Sequence, residues 1–224
     1  MKEEVTEINV QDIITRIRRT FGDEAAVQIQ DADIIRWIND GQVEIVKNNE
    51  AALQKTGFID LVAGTSQYNL PSDLLILRTL RYKYTSMPSY VALKYMNMQQ
   101  FDISIDSWDG ALYGNSSPQI FTLFEGKATL FPTPDQDAIS GLKILYNQQP
   151  LDVVLLTDNL SVPIIYHNTI VSYCMWQASL LDEDHEPALM YKSTFQQDMQ
   201  LVNNQETRDP MATYPTITTL SEDL

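Results

Sequence analysis

One cysteine, two histidines and only 15 lysines and arginines in a 224-residue chain remove several classes of function at the outset. Cys174 has no partner for an internal disulfide, which fits a reducing compartment or indifference to it. The longest stretch without formal charge, Asn159 to Leu181, is broken by Ser161, Pro163, His167, Asn168, Gln177 and Ser179. That is too polar to sit in lipid. Met1-Lys2-Glu3-Glu4 is acidic and opens no apolar run, so neither a secretory leader nor a membrane anchor is expected, and the chain is expected to be soluble. The eight glycines form neither a Walker pattern nor GxGxxG, which leaves no loop to cradle phosphates.

Basic residues are scarce against 30 acids, a net charge of −15, and the deficit is uneven. Residues 1–60 sum to −5 and residues 61–150 to −1, while residues 151–224 hold Lys192 and Arg208 against 11 acids and reach −9. A nucleic-acid binder needs cations to neutralise phosphates, so tight DNA or RNA binding is not expected. An apolar share of 44% still provides for a globular body.

The apolar pattern divides the chain. Val10, Ile13, Ile14, Ile17 and Phe21 share one face of a first helix, with Arg16, Arg18 and Arg19 around the other side and Gly22-Asp23 as its stop. Asp31 or Asp33 caps a second helix, whose face reads Ile34, Ile35, Ile38, Ile45, Val46, Ala52 and Leu53, with Trp37 beside it and Gly57 as its end. From Phe58 to Asn147 the period is two. Leu77, Leu80, Tyr82 and Tyr84 alternate with polar residues after the turn Pro71-Ser72-Asp73. Ile120–Phe124 and Lys127–Phe131 flank the hairpin turn Glu125-Gly126. Pro132 and Pro134 block further pairing, and Leu142, Ile144 and Tyr146 form another strand. Asn97 caps a short helix through Phe101, and residues 102–118 read as a long loop.

Helices return after Pro150. Ser161 and Pro163 begin one with the buried stripe Tyr166, Ile170, Cys174, Ala178 and Leu181. Pro187 begins the last, with Ala188, Tyr191, Phe195, Met199 and Val202 inward. The expected fold is α+β: a helical bundle of two N-terminal helices (1–56) and two C-terminal helices (151–203) around an inserted antiparallel β-domain (57–150). Residues 204–224 then form an extended arm, with two prolines, four threonines from Thr213 to Thr219, and the regularly spaced anchors Met211, Tyr214, Ile217 and Leu220.

No catalytic constellation emerges. Asp182-Glu183-Asp184-His185-Glu186 lacks the central glycine of a calcium loop, and the other histidine, His167, lies eighteen positions earlier. Its carboxylates suit the start of the following helix. Cys174 lies about 10 Å along the helix from His167, beyond hydrogen-bond reach. Trp37 and Trp176 read as core, whereas Trp108, with Tyr113 in the long loop, is a candidate contact for a neighbour or a tail component. Arg78, Arg81 and Lys83 among Tyr82 and Tyr84 would suit stacking on nucleic acid; on so acidic a chain they read as a solvated face or a protein-protein salt-bridge patch.

Four segments in succession carry a resemblance. Trp37-Ile38-Asn39-Asp40-Gly41-Gln42-Val43-Glu44-Ile45 is followed by Tyr68-Asn69-Leu70-Pro71-Ser72-Asp73. Leu130-Phe131-Pro132-Thr133-Pro134-Asp135 then precedes Leu145-Tyr146 and Pro150. Val162-Pro163-Ile164-Ile165-Tyr166-His167 enters a helix ending Ala178-Ser179-Leu180-Leu181-Asp182-Glu183. Over roughly residues 30–183 this order resembles that of the head-to-tail adaptor proteins of tailed bacteriophages.

The resemblance implies a structural virion protein in the neck between head and tail. It would form a homo-oligomeric ring of about twelve copies beneath the portal protein and dock a tail hub or nozzle protein. Genomic DNA would pass through the lumen without specific binding, past an acidic wall that lets it slide. The C-terminal arm would reach the portal through Met211, Tyr214, Ile217 and Leu220. No cofactor or metal is implied and no enzymatic activity is expected. Two other readings stay open: another head-completion or tail ring component with the same plan, and a metal-dependent hydrolase using Asp182–Glu186.

Overall fold

The computed structural model describes residues 9–49, 51–107 and 115–206. Its contacts divide the chain into two units, one built from the segments up to Ala51 and from Leu151 onward, the other from Ala52 to Pro150. Together they give a mixed α+β chain with five α-helices among the described residues.

The first unit is helical. Helix α1 (Val10–Phe21) opens on a capping box in which Asn9 Oδ1 accepts the Asp12 N–H and Asp12 returns the bond to the Asn9 N–H. It closes at Gly22, whose φ of 88° only glycine adopts without penalty. Val10, Ile13, Ile14 and Ile17 are buried as their spacing requires, but Arg18 is buried with them rather than turned to solvent. Asp23 and Asp31 neutralise it at 3.1 and 2.6 Å, and it also donates to the Ile29 carbonyl. A buried guanidinium is tolerated only when so fully satisfied.

Helix α2 (Asp31–Asn48) differs from the sequence reading at both ends. Gln30 occupies the cap without a side-chain bond, because Asp31 is engaged by Arg18 and Asp33 by Arg36. The helix also stops at Asn49, before Ala52 and Leu53, and Gly57 is not its terminator. Asn49 turns to an extended conformation and accepts the Ala51 N–H, and Leu53 takes a φ of 52°. Strand β1 (Gln54–Leu61) follows at once, so the change to sheet comes at Gln54 rather than Phe58. Gly57 lies within that strand, where a Cβ would meet Tyr146 and Pro71 at about van der Waals distance.

Helix α4 (His167–Leu181), entered through the 3₁₀ turn Ile164–Tyr166, packs against α1, α2 and α5 (His185–Glu206). Its sequence carries no Asp, Glu, Lys or Arg, which suits it to the central place: Ile170, Cys174, Met175 and Ala178 are buried. Leu181, expected on that stripe, is instead 57% exposed at the helix end. Ser161 does not cap the helix; its hydroxyl accepts the Leu151 N–H. Pro187 falls inside the first turn of α5, which begins two residues before it and runs to Glu206, beyond the expected start of the arm.

The second unit holds two four-stranded sheets. One runs β1 (Gln54–Leu61), β8 (Ala138–Gln148), β3 (Leu74–Tyr82), β4 (Val91–Ala92). The other runs β2 (Gln67–Asn69), β7 (Lys127–Phe131), β6 (Ile120–Phe124), β5 (Lys94–Tyr95). All pairings are antiparallel except the short β5–β6 pair. A shared core draws Leu80, Leu142, Ile144 and Tyr146 from the first sheet and Tyr68 and Leu130 from the second. Tyr146 donates to Asp73 Oδ1 at 2.9 Å, and Lys55 holds the other carboxylate oxygen at 2.7 Å. The turn segment Pro71-Ser72-Asp73 is thereby tied to β1 and β8. Helix α3 (Met98–Ser107) continues six residues past the expected end at Phe101, shortening the loop; the Asn97 carboxamide accepts the Gln100 N–H at its start.

Candidate assembly surface

The residues between Trp37 and Gln42 organise the helical unit. Trp37, Ile38, Gly41 and Gln42 face inward from α2. Asn39 Nδ2 donates to the Val153 carbonyl at 3.0 Å, while the Val153 N–H donates to Asn39 Oδ1 at 2.8 Å. One turn on, the fully buried Gln42 Oε1 accepts the Ser161 N–H at 2.8 Å and the Val162 N–H at 3.4 Å. Gly41 lies against the Tyr173 ring of α4, where a Cβ would come to 3.1 Å. Two carboxamides therefore hold the non-repetitive segment 151–163 at separate points, and a glycine lets α4 approach.

That segment is also tied within itself. Asp158 accepts the Val154 and Leu155 N–H groups, and these bonds hold its carboxyl below the usual carboxylate range. The outcome is a well-bonded backbone with apolar side chains outward: Leu151 is 77%, Val154 71% and Leu155 60% exposed. Ile164 and Ile165 are exposed in the turn that follows. Exposed aliphatics on a pinned scaffold form a candidate surface for protein contact, since flexibility is not what leaves them out.

The turn Asp182–Glu186 lies between the end of α4 and the first turn of α5. All five side chains are exposed, and no group of three metal-ligating side chains converges among the described residues. His185 and Glu186 begin α5, a placement favourable to the carboxylate. Cys174 is fully buried, and burial pushes its thiol up, away from the reactive thiolate. His167 is half-buried with Nδ1 unpartnered; burial pushes its imidazole down, with a weaker opposing hydrogen bond to the Val162 backbone. Trp37 is buried, and Trp176 stacks edge-on to Tyr173 beneath the Lys192 ammonium. Arg78 is tied to Asn147 at 2.8 Å, so it stands apart from Arg81 and Lys83. Trp108, Tyr113, Met211, Tyr214, Ile217 and Leu220 lie outside the described residues.

The SU10 adaptor protein family matches residues 8–218, nearly the whole chain and both of its units. The chain belongs to that family. It is a phage adaptor protein, of a structural kind. No curated protein matches it. In this SU10 adaptor the Asn39–Gln42 clamp lets one short segment of α2 set the course of a distant stretch of chain. Two polar residues three apart on an otherwise apolar helix face were its sequence signal, and the partner segment was beyond reading.

Proposed function

We propose that this adaptor is one subunit of a ring of about twelve copies in the virion neck, seated beneath the portal protein and docking a tail hub or nozzle protein. The observation that carries the reading is the family match across residues 8–218, which takes in both units and most of the C-terminal arm. Residues 204–224 anchor the portal through Met211, Tyr214, Ile217 and Leu220, each spaced to enter a separate pocket. The exposed aliphatics from Leu151 to Ile165 support a protein contact on the helical unit. Trp108 and Tyr113 contact a neighbour or the tail component. The −9 carried by residues 151–224 suits a channel wall along which DNA slides without binding.

The test is a pull-down from virus-producing lysate with the full chain and a 1–203 truncation, read by mass spectrometry. Portal protein retained by the full chain and lost with the truncation supports both the adaptor role and the arm. Equal retention by both removes the arm from the reading. Capture of a tail ring protein without portal would assign the chain to the other end of the neck.

A further inference from the structure

One cross-strand row on the outer face of the first sheet runs against the character of this chain. Phe58 on β1 pairs with Lys143 on β8, and Lys143 pairs in turn with Arg81 on β3. Two cations thus stand directly opposite each other, an arrangement that costs stability. Lys83, two residues on from Arg81, adds a third. The Lys83 and Lys143 ammonium groups each lie 5.8 Å from the Tyr90 ring centroid, and Tyr90 packs against Phe58 at 6.4 Å. Among the described residues the ion pairs join Arg18 to Asp23 and Asp31, Arg36 to Asp33, and Lys55 to Asp73, so none reaches this row. Asp60, on the same strand as Phe58, accepts the Ser140 N–H at 2.6 Å and forms no ion pair with the row. Apolar side chains edge the cations, with Phe58 54% and Ile139 90% exposed.

In the net −15 chain, a cationic row that no ion pair reaches among the described residues, with an apolar rim, calls for an anionic partner that is itself partly apolar. Duplex DNA supplies the charge but nothing for Ile139. The helical unit supplies both: the turn Asp182–Glu186 exposes four carboxylates with no ion pair among the described residues, and exposed Leu181 and Leu189 flank it. We propose that the Arg81–Lys83–Lys143–Tyr90 face of one copy docks the Asp182–Glu186 turn of a second copy. This rests on the ring reading above and specifies a contact within the ring. Each copy carries both halves, so the contact is head-to-tail and repeats around a closed ring.

The test couples carboxylates to lysines with a zero-length carbodiimide in the full-length chain at low ionic strength. Equal amounts of isotope-labelled and unlabelled protein distinguish links between copies. Expected are mixed-isotope links from Lys83 or Lys143 to Asp182–Glu186 that fade as salt rises. Lys83 and Lys143 are also the coupling sites, so the variants are read by sedimentation at the same ionic strength. K83E/K143E and D184K/E186K should each lose the association, and their mixture should regain it. Lys143→Glu sets a carboxylate opposite Arg81, so folding is not what this variant loses. Links that join other surfaces, absence of links between copies, or no recovery on mixing would overturn the proposal. A K83E/K143E protein that associates normally but is retained less on duplex DNA would overturn it too, in favour of a nucleic-acid contact. Portal capture that survives loss of this contact leaves the adaptor role standing, so the two readings fail separately.

Discussion

The Asn39 carboxamide and the Val153 backbone exchange two hydrogen bonds, one at 3.0 Å and the other at 2.8 Å, across 114 residues of sequence. Neither partner belongs to a repeating ladder, so the pair fixes segment 151–163 in a way that helix packing alone would not. Asn39→Ala should lower the free energy of unfolding by about 1–3 kcal/mol, measured by urea denaturation. Asn39→Asp should not rescue it, because the carboxylate keeps the bond from the Val153 N–H but turns an oxygen toward the Val153 carbonyl. Stability close to wild type in Asn39→Asp would mean that the amide donor contributes little.

Arg18 and Asp23 supply a contrast between buried and exposed charge. Asp23 accepts the Val27, Gln28 and Ile29 N–H groups as well as Arg18, with Ile29 the main cause of its lowered carboxyl pKa. Asp23→Ala leaves a buried guanidinium with one carboxylate fewer and three N–H groups without their acceptor. The expected loss is much larger than for Arg36→Ala, whose exposed pair with Asp33 contributes less than about 1 kcal/mol. The Asp23 contribution is present above the ordinary carboxylate range and disappears in acid, as pH falls through the depressed folded value. Urea midpoints for both variants at neutral pH give the ranking; equal losses would contradict it.

The sequence made the periodic parts readable. Val10 to Ile17, the hairpin around Glu125-Gly126 and the uncharged run that becomes α4 all follow from spacing and composition. What escaped were residues whose behaviour depends on a distant partner. Arg18 looked solvent-facing because nothing local announces that Asp23 and Asp31 would fold over it. The end of α2 escaped because Ala52 and Leu53 continue a helical pattern that the turn at Asn49 interrupts. The Lys143–Arg81 row depends on strand register, which the sequence of either strand leaves open. Asn39 and Gln42 were visible as a motif, but their partners more than a hundred residues on were not.

The hairpin turn holds an avoidable strain. Glu125 has a φ of 49° and Gly126 one of 72°, the pair of left-handed residues that a two-residue turn between twisted strands requires. Glycine accepts this and glutamate does not readily, whereas asparagine is the usual first residue of such turns. Glu125 is exposed and at the tip, so its replacement disturbs no packing. Glu125→Asn should raise stability by about 0.5–1 kcal/mol, with Glu125→Ala giving no comparable gain. Thermal and urea melts of the three proteins decide whether the backbone conformation is the cause.

His167 should make the fold sensitive to mild acid. Burial lowers its pKa from 6.5 in the folded chain, so the unfolded chain binds the proton more tightly. Unfolding therefore takes up a proton once pH drops to about 6.5, and the native state loses stability from there down to its own lower value, below which the loss levels off. Above that window the imidazole is neutral in both states and contributes no pH dependence. Urea midpoints measured from about pH 7.5 to about pH 5.5 should fall, and His167→Asn should flatten the curve over that range. An unchanged slope in His167→Asn would overturn this assignment.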